Sequence, residues 1–150
     1  MIDRFERFVL SISEIYRCWH KIAATEMENY GLKGPYAQCL LAMSRYPEGI
    51  TAARLCEICD RDKAAVSRMV SELEEKGMVL RSTPNGKRYR AVLTLTEQGA
   101  AAAAHVEQRA RCAVEEASNG MTEQQRIGMY AALDLIAGNL QSICTAGLKD

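Results

Sequence analysis

Apolar residues recur at three- and four-residue steps through the first part of the chain: Phe5, Phe8, Val9, Ile12, Ile15, Tyr16, Trp19, Ile22 and Ala23. At about 100° per residue they fill one arc of a helix, with Arg7, Glu14 and Lys21 opposite, which predicts a long helix over 3–30. Gly31 and Gly34 end it, and Pro35 can open the next. That second helix, to about Arg45, contains the nearly all-apolar "YAQCLLAM" and is expected to be buried. "YPEG" reads as a turn. Thr51 can cap a short helix through Cys59, "CDRD" breaks it, and another helix covers 62–76 before Gly77. The chain then changes from a helical to an alternating period. "MVLRST" and "RYRAVLTLT" alternate around "PNGK", so they form a two-stranded hairpin. From Glu97 the pattern is helical again, with "AAAAA" at 100–104 a helix-favouring run. Asn119 and Gly120 interrupt it, Thr122 with Gln125 makes a capping box, and a last helix runs to about Thr145.

Two helices joined by a tight turn and followed by a hairpin describe a winged helix-turn-helix. The expected fold is therefore mainly α with a small β-hairpin. It is one domain over 1–150, with a winged-helix lobe at 35–96 and helical extensions at 1–30 and 97–146. The extensions are strongly apolar. The last helix adds Met129, Tyr130, Leu133, Ile136, Ala137, Leu140, Ile143 and Cys144 to the stripe of the first. In a chain this small such helices pack on each other or cover a partner subunit, and a two-fold homodimer is the commonest closed solution.

Charge sharpens this picture. The chain has 19 Lys+Arg against 19 Asp+Glu, yet Lys76–Thr96 carries five cations (Lys76, Arg81, Lys87, Arg88, Arg90) and no acid. The remainder holds 14 cations against 19 acids. A neutral total argues against a general polyanion binder and leaves room for a focused basic patch. On the helix over 62–76, Val66, Met69, Val70 and Leu73 share the inward arc. Lys63, Ala64, Ser67, Arg68 and Ser71 share the outer one. Small residues there let a backbone approach a duplex, and Lys63 and Arg68 can reach phosphate or the acceptor edge of guanine. The acids Glu72, Glu74 and Glu75 lie towards the C-terminal end, so the N-terminal half would enter a major groove. The hairpin places Tyr89, Ala91, Leu93 and Leu95 on its anchoring side and Arg88 and Arg90 on the other, with Lys87 at the tip. Such a ribbon suits the backbone or an adjacent minor groove. Thr51, as a cap, could also offer its hydroxyl to a phosphate. The competing readings are a solvated helix with an ordinary surface, and a hairpin whose cations only block edge pairing.

The remaining composition is that of an ordinary globular chain, 48% hydrophobic and 25% charged. No apolar run reaches membrane-spanning length, and "MIDRFERF" lacks a signal-peptide core, so a cytoplasmic location without membrane contact is expected. Six cysteines (Cys18, Cys39, Cys56, Cys59, Cys112, Cys144) show no dense disulfide pattern and should be thiols in a reducing compartment. Cys56 and Cys59 form a C-x-x-C. A thioredoxin-like role needs a βαβ context that is missing, and a structural zinc needs four ligands. The pair is read as small buried hydrophobes beside Leu55. No Ser/His/Asp set, phosphate loop or carboxylate pair supports catalysis, so no enzyme activity, metal or cofactor is expected.

The run "TAARLCEICDRDKAAVSRMVSELEEKGMVLRSTPNGKRYRAVLTLTEQG", Thr51 to Gly99, resembles the multiple-antibiotic-resistance regulator (MarR) family. The likeness lies in the combination of a helix leucine, "DKAAVSR", "LEEKG" and "LTEQG" after a basic hairpin, and the flanking helices fit the same family. The resemblance implies a homodimeric transcription regulator, repressor or activator, bound to double-stranded DNA at a pseudopalindromic operator. It also implies release by a small ligand or by cysteine oxidation. Where the family wing often has an Asp that orients its arginine, this chain has Lys87 ahead of Arg88, an added cation for phosphate contact.

The family also directs attention to effectors, which often sit where the DNA lobe meets the dimer helices. Tyr16, Trp19, His20 and Tyr36 could line such a cleft for an aromatic or anionic molecule, or serve as core and interface residues. Some members sense hydroperoxides through a cysteine near the N-terminus with tyrosine partners, which makes Cys18, with Tyr16 nearby, the redox candidate. A winged-helix protein-interaction module without DNA binding is the alternative.

Overall fold

The computed structural model describes residues 3–83, 86 and 91–148. Helix α1 (Arg4–Glu28) is followed by α2 (Tyr36–Ser44), a two-residue strand β1 (Ile50–Thr51), α3 (Ala52–Cys59) and α4 (Lys63–Glu75). Strands β2 (Val79–Ser82) and β3 (Val92–Leu95) precede α5 (Glu97–Ala117) and α6 (Glu123–Ala146). The chain divides into two compact units, Met1–Arg109 and Ala110–Asp150, with α5 running through the boundary.

The helix ends follow local chemistry. Thr51 Oγ1 accepts the Arg54 N–H at 3.2 Å and so caps α3. Asp60, in the left-handed region at φ 48°, stops α3, and the Arg61 N–H returns to the Cys56 carbonyl at 3.1 Å. Two residues later the Asp62 carboxylate accepts the Ala65 N–H at 2.7 Å and opens α4. The reciprocal capping box of Thr122 and Gln125 starts α6, as the sequence predicts.

The core of the first unit joins α1, α2, α3, α4, the sheet and α5. Met27, Leu40, Met43, Leu55, Val66, Val70, Leu73 and Leu93 are its fully buried large side chains. Helix α4 buries Val66, Met69, Val70 and Leu73, the inward set read from its periodicity.

The sheet differs from the expected two-stranded hairpin by one strand. Its order is β1-β3-β2, all antiparallel, with Ile50 opposite Leu93 and Arg81 opposite Leu93 on the other edge. The hairpin is thereby tied to the start of α3. Gly49 makes this possible: it sits at φ 113°, and a Cβ there would lie 1.9 Å from Val92 Cγ1. At the other end, Thr96 locks the sheet to α5, its hydroxyl donating to the Gly77 carbonyl at 2.6 Å and accepting the Gly99 N–H at 3.1 Å.

In the second unit α6 buries none of its residues, and Ile127, Tyr130, Leu133, Leu135, Leu140 and Ile143 are exposed. In the first unit α1 likewise exposes Phe5, Phe8, Val9, Ile12, Ile15 and Tyr16. Among the described residues no helix is long and apolar enough to cross a membrane.

Candidate nucleic-acid interface

The outward face of α4 is what its sequence requires once Val66, Met69, Val70 and Leu73 point inward. Lys63, Ala64, Ser67, Arg68 and Ser71 are all exposed. Asp62, the cap, directs its carboxylate to the backbone, and the other acids of α4 stand beyond Ser71. Two of them are engaged. Glu72 accepts the Tyr36 hydroxyl, and Glu74 takes a forked pair of hydrogen bonds from Arg81 of β2, at 3.1 and 3.2 Å. The free cationic character of α4 is thus concentrated in its first two turns.

These residues border a hollow. Thr51, Cys56, Lys63, Ser67, Arg81 and Ala91 line a cavity of about 640 Å³ between the start of α3, the first turns of α4 and the base of the hairpin. Three of the sequence-selected residues, Thr51, Lys63 and Ser67, therefore meet at one place, and Arg81 joins them. Ala64, Arg68 and Ser71 form the neighbouring strip of the same helix, with Arg68 close enough to Tyr36 to act on its phenol electrostatically. Arg81 was not selected from sequence as a contact residue. Its membership of the acid-free Lys76–Thr96 stretch was the available signal. Lys87, Arg88 and Arg90 lie outside the described residues.

The four residues considered for a ligand separate. Tyr16 and His20 are exposed on α1, with ring centroids 4.1 Å apart at 60°, and Trp19 is half-buried beside them. Tyr36 belongs to the core. Burial, and then the hydrogen bond to Glu72, push its phenol up to about 12. Its hydroxyl is thus a donor fastening α2 to α4.

Cys18 is exposed, and its thiol faces Glu14 Oε1 at 3.7 Å. The guanidinium of Arg17 is paired with the same carboxylate. Of the C-x-x-C, Cys59 is buried and Cys56 half-buried on the cavity wall. No group of three or more His, Cys, Asp or Glu side chains among the described residues could hold a metal ion.

Sequence reasoning did not find a polar cluster between α1 and α5. Glu26 accepts Arg109 Nε at 2.9 Å and lies 3.3 Å from His105 Nε2, while Tyr30 meets the His105 ring edge-on at 6.4 Å. The Arg109 hydrogen bond, with its charge and His105, holds the Glu26 carboxyl below the usual carboxylate range, against an opposing effect of burial.

Comparison with known proteins gives a consistent picture. The sequence model of the MarR family matches residues 30–88. A protein of Thauera aromatica named for transcriptional regulation of the hcr operon is 29% identical over 105 residues, 70% of this chain. The chain spans 60% of the length of that relative. Among solved structures, a MarR transcriptional regulator of Methanosarcina mazei Go1 superposes with a TM-score of 0.81 at 23% identity, covering 92% of this chain and 99% of that one. A MarR-family regulator of Listeria monocytogenes, solved with a 26-mer DNA, gives 0.74 at 21% identity, covering 95% and 96%. At these identities the superpositions establish the fold. The matched sequence model spans the helix-turn-helix whose caps and core are described above, and the chain belongs to the MarR family.

Proposed function

We propose that this protein is a cytoplasmic, homodimeric transcription regulator, most simply a repressor, that binds double-stranded DNA at a pseudopalindromic site. The observation that carries this reading is the outward face of α4. Its small and cationic N-terminal half (Lys63, Ala64, Ser67, Arg68) borders a hollow shared with Thr51 and Arg81, while two of its acids are engaged by Tyr36 and Arg81. The DNA-bound Listeria relative supports the same use of the fold. In this reading residues 35–96 form the DNA-binding lobe. Lys63, Ala64, Ser67, Arg68 and Ser71 face the major groove, Thr51 meets a phosphate, and Lys87, Arg88 and Arg90 contact backbone or minor groove. Residues 1–30 and 97–146 serve dimerisation. A small aromatic or anionic effector near Tyr16, Trp19 and His20 would relieve binding. Tyr36, buried and bonded to Glu72, supports that site from within the core.

Selection from a random duplex pool tests the proposal. The expected product is an inverted repeat with half-sites about one helical turn apart. No enrichment at low salt under reducing conditions would count against it. Two variants then separate base reading from phosphate contact. Arg88→Ala should weaken all sequences alike and flatten the salt dependence, because phosphates carry no sequence information. Arg68→Ala should change which sequences are preferred, and an equal loss on every sequence would remove Arg68 from base reading.

A further inference from the structure

One chemically competent pair of side chains has no part in the reading above. Cys39 lies in α2 and Cys59 is the last residue of α3, and both belong to the core, 1% and 5% exposed. The two helices meet in register here. Gln38 Nε2 donates to the Ile58 carbonyl at 3.3 Å, and one residue further along each helix the two thiols are hydrogen-bonded to each other. Cys39 donates and Cys59 accepts. That hydrogen bond, and then Arg61 just past the turn, lower the Cys59 thiol against the effect of burial. The same bond and burial raise that of Cys39. One sulfur is thereby set up as the nucleophile and the other as its neighbour.

We propose that Cys39 and Cys59 form an oxidisable dithiol inside the helix-turn-helix, which a hydroperoxide closes to an intramolecular disulfide. The Cys59 thiolate attacks the outer peroxide oxygen and the O–O bond breaks. The products are a Cys59 sulfenic acid and an alkoxide, which takes up the proton that Cys59 released and leaves as the alcohol (water, for hydrogen peroxide). The Cys39 sulfur then attacks the sulfenic sulfur. An S–S bond forms, the S–O bond breaks, and hydroxide leaves as water with the Cys39 proton. Two thiols lose two electrons in total and one peroxide gains them.

The bond also has a mechanical consequence. A disulfide holds its sulfurs ~2.05 Å apart, well inside hydrogen-bond separation, so α2 and the end of α3 must draw together. Cys59 is followed directly by Asp60 at φ 48° and by the cap Asp62, so the pull is passed within three residues to the first turn of α4 and Lys63. The effect on DNA rests on the function proposed above.

The test treats the full chain with hydrogen peroxide, blocks remaining thiols under denaturing conditions and digests with trypsin. The expected product joins the peptide over 34–45 to that over 55–61, is lost on adding dithiothreitol, and persists in Cys56→Ser. It is absent in Cys39→Ser and Cys59→Ser, whose folding is verified by thermal melting. Complete alkylation of Cys39 and Cys59 in the treated protein would overturn the proposal, and so would a bond from Cys59 to Cys56. In a second measurement, oxidation should weaken affinity for the selected duplex about tenfold, reversibly, and leave Cys39→Ala unaffected. Cross-linking with unchanged affinity would overturn the coupling to α4. Cross-linking in a protein that binds no duplex even when reduced would overturn the DNA reading and leave the dithiol standing.

Discussion

Tyr36 fastens α2 to α4 through a single hydroxyl, and its titration makes that bond measurable. Burial and the Glu72 carboxylate favour the neutral phenol, moving it from 10.0 up to about 12. The unfolded chain therefore ionises first. The contribution of Tyr36 is fully present below pH 10, falls as the unfolded tyrosine loses its proton, and is gone once the folded one does so near 12. Tyr36→Phe should cost about 1 kcal/mol at neutral pH, and its melting temperature should fall less steeply than the wild type's between pH 10 and 12. Equal slopes would mean that the hydroxyl contributes nothing specific. Gly99 is a second single-residue constraint, since a Cβ there would stand 2.0 Å from the Met78 carbonyl oxygen. Gly99→Ala should cost about 3 kcal/mol in denaturant unfolding, because backbone on both sides must shift to admit one methyl. Residues of these two kinds differ in legibility. Val66, Met69, Val70 and Leu73 could be placed from helical period alone. The partner of Tyr36 lies 36 positions away, and no local pattern encodes that pairing.

At the scale of elements, the helices were readable because each carries its own signals: Thr51, Asp62 and Thr122 as caps, and apolar steps between them. Strand β1 was not readable. Two residues cannot show an alternating period, and they become a strand only because Gly49 lets Ile50 and Thr51 approach β3. Contacts between elements were also hidden, as the clamp between α1 and α5 shows. Glu26 is held below the usual carboxylate range by Arg109 and His105, so its stabilising effect is present above the unfolded carboxylate pKa and is lost as the pH falls through the folded one. Glu26→Gln should lower stability at neutral pH by about 1 kcal/mol or less, since Arg109 and His105 are half-exposed and water screens the pair. The variant's stability should also decline less than the wild type's on acidification. A parallel decline in chemical denaturation would show that other carboxylates set the acid limit.

At the scale of the whole molecule, two surfaces call for partners of different chemistry. The outward face of α4 is cationic and small-residued, whereas α1 and α6 expose rows of large apolar side chains, among them Ile12 at 42% and Leu140 at 49%. Apolar surface favours burial at about 25 cal/mol per Å², and contiguous exposed patches of this kind are uncommon on monomers. A second copy of the chain offers the same faces, and a closed two-fold pair covers them without leaving an end that grows. The expectation is a mass near twice 16.6 kDa in sedimentation equilibrium across the micromolar range. Ile12→Lys or Leu140→Lys, each placing an ammonium in the covered surface, should shift the population towards the single chain with its helicity intact. DNA binding supplies a second readout of the same event. Each neutralised phosphate contributes a slope of about −0.9 to the logarithm of affinity against the logarithm of salt. A dimer that sets two α4 faces on one site should therefore show about twice the slope of the monomeric variant. A wild type that sediments as a single chain at every concentration, with the same slope as the variants, would mean that the apolar helices serve another partner and that one α4 face binds alone.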